Sequence, residues 1–173
     1  MREIDEEKKK KDSSLNINDD FDFIFAKKLP KVLRWILVIP TGIIGVILIH
    51  LAYGFIVGTF LKNFSETSIV GIIVNALFSF VKFYFFILAM VAMTPVAKEN
   101  KFKAGIGLSI VPLVMGGGII FLSMYMSETY STNMVILQVV VIVAAVAVGL
   151  LSIKKGVNME KTQIEEQKME DGI

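Results

Sequence analysis

The chain has 173 residues, 54% of them hydrophobic and none of them cysteine, with a mean hydropathy of +0.67 and a net charge of +2. So small a net charge argues against a nucleic-acid footprint, and the missing thiols exclude disulfides, thiolate catalysis and thiolate metal sites. Four long apolar runs stand where a soluble domain would show amphipathic periodicity, which predicts an all-α integral membrane protein with four transmembrane helices in a small bundle.

Residues 1–20 are almost entirely polar, with seven acids beside the lysine block Lys8 to Lys11. Such a segment buries too little apolar surface to offset its ordering entropy and is expected to be a disordered charged tail. Residues 21–40 read as an interfacial amphipathic segment leading into the first span. Phe21, Phe23 and Phe25 would lie in the headgroup layer, with Lys27, Lys28, Lys31 and Arg34 on phosphates and Trp35 at interfacial depth. A plain basic flank anchoring the first span is the competing expectation.

The first span covers about 32–61 and contains Pro40. Proline removes a backbone bond, so either the segment up to Pro40 lies on the surface and the span begins at Thr41, or one long kinked helix crosses. Gly54 and Gly58 form a small-xxx-small pair that permits close helix approach. The second span, about 68–96, holds Lys82 in the middle of "NALFSFVKFYFF". Fifteen Ile, Leu, Val and Phe residues between Ile69 and Val91 contribute ~0.3–0.6 kcal/mol each and outweigh a lysine penalty of ~2.5–3.5 kcal/mol, so the helix still inserts. The third span, about 104–126, carries Pro112 and the run Gly116, Gly117 and Gly118, a place for tight packing or local unwinding. The fourth, about 133–153, is apolar apart from Gln138 and is followed by a charged tail over 154–173. The bundle proper is thus expected over 32–153.

Nine basic residues precede Ile36, one lies in the first connection, three in the second, none in the third and four after Ile153. The positive-inside rule then predicts cytoplasmic termini and a cytoplasmic middle loop. A bacterial inner (cytoplasmic) membrane is the expected location.

Ser68, Asn75, Ser79 and Lys82 recur at helical spacing and predict a polar stripe on the second span that looks inward. Counting depth along each helix at ~1.5 Å per residue pairs Asn75 with Gln138 of the fourth span and Lys82 with His50 of the first. No Asp or Glu lies within the apolar runs, so Lys82 has no carboxylate of its own spans to meet. Three roles remain open for it: a satisfied or snorkelling side chain, a contact to a partner, or part of an ion or proton path.

The combination predicts a non-enzymatic accessory or assembly subunit, using its polar and glycine-rich helix faces as a homo-oligomer or within a larger membrane complex. The alternative is a small oligomeric channel or transporter for an anion or protons, lined by Lys82 and His50. No nucleophile motif, carboxylate pair or metal-ligand spacing is present, so neither catalytic residues nor a cofactor are expected, and no small-molecule substrate is legible.

Overall fold

The computed structural model describes residues 21–60, 68–126 and 132–170, with backbone alone given for Gly58, Phe60 and everything beyond Val157. The charged tail over 1–20, both short connections expected on the far side, and residues 171–173 lie outside the described residues. Among the described residues, five α-helices follow a short 3-10 turn at Ile24–Lys28: α1 Lys31–Phe60, α2 Ile69–Met93, α3 Lys98–Leu108, α4 Ile110–Met126 and α5 Thr132–Glu170. Helices α3 and α4 run on almost without interruption, so that four helical stretches are long and apolar enough to cross a membrane: Lys31–Val57, Ile69–Met93, Lys98–Met126 and Thr132–Val157.

Proline chemistry sets most of these boundaries. Leu29 precedes Pro30 and is extended at ψ 144°, as the residue before proline prefers. Pro30 in turn opens α1, its carbonyl accepting from the Arg34 amide at 3.0 Å. The segment 21–40 is therefore not one amphipathic element: a turn ends at Pro30 and the first span begins at Lys31. Helix α1 runs through Pro40 without a break, which matches the second of the two alternatives, one long helix, and not a helix that starts at Thr41. Thr94, before Pro95, is extended at ψ 135° and closes α2. Pro112 cannot donate to the Leu108 carbonyl, and the ladder lapses at Ser109, whose hydroxyl donates back to the Ile106 carbonyl at 2.6 Å. The three glycines at 116–118 leave α4 continuous.

Two further boundaries differ from expectation. Lys98 to Lys103 form the first turns of α3 instead of a loop, with Glu99 placed in the first turn where a carboxylate favours the helix dipole. The helix expected to stop near Ile153 continues as backbone to Glu170.

Helix α2 is the centre of the bundle. Half of its most apolar window is buried, against 17–22% for the other three. It packs between α1 and α5, while α4 leans on α5 and touches α2 only lightly. Close approach comes from glycines: a Cβ at Gly42 would overlap Phe86 and Met90, and one at Gly149 would overlap Ile87. The core is concentrated at one end of α2, where Phe83, Phe86, Ile87, Met90, Val91 and Met93 are buried. No residue from Ile69 to Phe78 is buried. The outward faces carry Ile44, Leu51, Phe55, Leu77, Val114 and Phe121, all more than half exposed, the surface expected of helices solvated by acyl chains.

Candidate functional site

Polar chemistry gathers in two places, one at the Thr94 end of α2 and one at its middle. At the end, the last turn of α2 leaves carbonyls without intrahelical donors, and these carry the negative pole of the helix. Two cations supply them. Arg34 of α1 donates from Nε to the Met93 carbonyl at 3.1 Å and from Nη2 to the Thr94 carbonyl at 2.8 Å. Lys101 of α3 donates from Nζ to the carbonyls of Val91 at 3.0 Å and Thr94 at 2.6 Å. Both reach the same carboxylate oxygen, Oδ1 of Asp22, at 2.6 Å. Lys101 and Thr94 are fully buried, and Asp22 and Arg34 nearly so.

The segment before α1 closes over this cluster. The Phe23 amide donates to the Ala92 carbonyl at 3.4 Å, Phe23 and Phe25 stack at 5.5 Å, and Ala26 is fully buried. Phe21, held at φ 61°, lies against Gly156 of α5. Phe21, Phe23 and Phe25 are thus partly buried against the core, and Arg34 is buried within the cluster, where the expectation had all four facing headgroups. Asp22, between Phe21 and Phe23, is the residue of this segment that pairs with both cations. Lys27, Lys28, Lys31 and Trp35 remain exposed.

The expected stripe on α2 divides. Ser68 caps the helix, accepting from the Gly71 amide at 3.1 Å. Asn75 accepts a hydrogen bond from the Tyr53 hydroxyl of α1, so it is not in a layer with Gln138. His50 is exposed on α1, so it forms no layer with Lys82. Depth along a helix had paired these residues, but helix rotation decides which side chains meet. Tyr53 was the residue missed: it lies one turn from His50 on the face that meets α2, with its ring 4.5 Å from that of Phe78.

The structure does bring Ser79, Lys82 and Gln138 together. They line a partly open cavity of about 160 Å³ between α2, α4 and α5, whose other walls are Phe83, Gly116, Ile119, Ile120 and Ile142. Gly116 shapes it, since a Cβ there would stand 2.8 Å from Ile142 and 3.2 Å from Phe83. Gly54, Gly117 and Gly118 face outward with nothing within 4 Å. Lys82 is half-buried, and no protein group among the described residues bonds or pairs with its ammonium. The three polar groups can all donate: an ammonium, a hydroxyl and a carboxamide. The notch thus sets one cationic and two neutral polar side chains among apolar walls.

Comparisons of the chain with models of protein families, with curated proteins and with solved structures find no match.

Proposed function

We propose that the chain is a non-enzymatic multi-pass membrane subunit that associates with another component inside the bilayer through the notch at Lys82. One observation carries this: a lysine at the middle of the central, most buried helix faces a partly open cavity with Ser79 and Gln138, and among the described residues no acidic side chain pairs with it. Ionisable side chains at that depth are costly and persist where something meets them. The outward Gly54, Gly117 and Gly118 add places where a second helix could approach closely.

The threading we propose has both termini and the α2–α3 connection in the cytoplasm. It is supported by the convergence of Arg34 and Lys101 on Asp22 at one end of the bundle, with Lys154 of α5 5.8 Å from the Phe102 ring of α3. The absence of native cysteine makes this testable: Tyr125→Cys, 85% exposed in the wild type, is expected to react with an impermeant maleimide on intact cells, and Lys28→Cys only after permeabilisation. The opposite pattern reverses the threading. For the subunit role, native mass spectrometry after mild extraction is expected to find the chain in a defined complex. A lone monomer, or ion flux in vesicles that Lys82→Met abolishes, overturns it, the latter in favour of a channel.

A further inference from the structure

The notch specifies the chemistry of what docks in it. We infer that Lys82, Ser79 and Gln138 form a docking site for one transmembrane helix of a different protein, which inserts an Asp or Glu side chain from near its own midpoint. This rests on the subunit role proposed above and names the partner's recognition element.

Depth comes first. Lys82 stands thirteen residues after Ile69 and eleven before Met93, so about 20 Å and 17 Å from the two ends of α2 at ~1.5 Å per residue. A lysine stem spans about one helical turn, and the hydrocarbon layer is ~30 Å thick, so a phospholipid phosphate in the headgroup layer does not meet this ammonium. An anion at that level has to be carried there on an apolar stem.

Size and lining come next. A cavity of about 160 Å³ has room for roughly a benzene-sized group, such as an acidic side chain, and not for a lipid headgroup. Its apolar walls, Phe83, Ile119, Ile120 and Ile142, suit the methylenes of such a side chain, while the three donors converge on its carboxylate. Ile119 of α4, which lines the notch, is 54% exposed, so the cavity opens onto a surface that a neighbouring helix can reach.

A second copy of this chain does not supply the carboxylate. Among the four candidate spans the single acid is Glu99, the second residue of α3, at the end of its helix. The remaining acids lie outside the apolar spans. Charge complementarity therefore selects a heterologous helix.

The test uses the full chain in phosphatidylcholine vesicles, labelled at Lys154→Cys, with acceptor-labelled synthetic helices of about twenty Leu and Ala residues. The central residue of each peptide is Glu, Gln or Leu, and energy transfer reports association. The Glu-centred peptide is expected to bind about tenfold more tightly than the Leu-centred one, with Gln between. Lys82→Met, which removes the charge and eases insertion, is expected to erase that preference while leaving the Leu-centred peptide unchanged. Lys82→Glu is expected to favour a Lys-centred peptide. Equal binding of the Glu and Leu peptides to wild type overturns the inference, as does a preference that survives Lys82→Met. Loss of the preference when phosphatidylglycerol replaces part of the lipid assigns the notch to a lipid and also overturns it. So does self-association of wild type that Lys82→Met removes. A native complex that persists in Lys82→Met keeps the subunit role and removes only the acidic partner. A Glu preference in a chain that has no native companion does the reverse.

Discussion

Two lysines of this bundle sit in opposite surroundings. Lys101 is fully buried, and its ammonium meets the carbonyls of Val91 and Thr94 and the carboxylate of Asp22. Lys82 lies at the middle of the most buried helix and meets no group of its own chain among the described residues. The first cation completes a helix end: α2 runs out of donors at Met93, and Lys101 and Arg34 provide them. The second completes no helix end and no ion pair among the described residues. A cation that holds a fold together comes with its acceptors, so the one without them is where an external function is to be sought.

The largest effect expected from breaking this contrast comes from Asp22. Replacing it by Asn keeps the shape and removes the carboxylate charge that Arg34 and Lys101 share. Leaving buried charge uncompensated costs about 3–5 kcal/mol. The melting transition in detergent, followed by the fluorescence of the single tryptophan, Trp35, is expected to fall sharply in Asp22→Asn. An unchanged melting temperature would mean that the cations are satisfied by the α2 carbonyls alone.

That cluster also marks where the sequence stops being legible. The four spans are written in composition, because a backbone in hydrocarbon has one way to satisfy itself, and the runs of α2 and α5 need no tertiary information. Arg34 reads as one more basic flank residue, since its acceptors lie at Met93 and Thr94, 59 and 60 positions away. One local signal was available: Asp22 interrupts "FDFIF", an acid among aromatics that calls for a buried cation. Helix rotation left no such trace. Asn75 and Gln138 sit at matching depths, yet Asn75 bonds Tyr53 and Gln138 joins Lys82. Close-packing glycines are likewise decided by partners, so Gly42 and Gly149 are pressed against α2 while Gly117 and Gly118, in the more conspicuous run, are open.

A smaller effect is expected at Lys101. In Lys101→Met the carbonyls of Val91 and Thr94 lose a donor, but Asp22 keeps Arg34 at 2.6 Å, so no charge is left alone. Leaving buried acceptors short of a donor costs about 1–3 kcal/mol. The ordering Asp22→Asn worse than Lys101→Met, in the same melting measurement, separates charge balance from hydrogen bonding. The reverse ordering would put the weight of the cluster on the helix end and not on the ion pairs.

The smallest effect on stability is expected at Lys82 itself. Lys82→Met keeps the length of the stem in a cavity walled by Phe83 and Ile142, breaks no hydrogen bond among the described residues, and removes the ~2.5–3.5 kcal/mol insertion penalty of a mid-span lysine. The melting temperature of the isolated chain is therefore expected to stay level or rise, the opposite sign to Lys101→Met for the same substitution. If Lys82→Met instead destabilises as Lys101→Met does, the ammonium is held from within the chain, and the notch is part of the fold. If the isolated chain is unharmed while its association is lost, the cost of keeping a lysine at mid-span is explained by the component that meets it there.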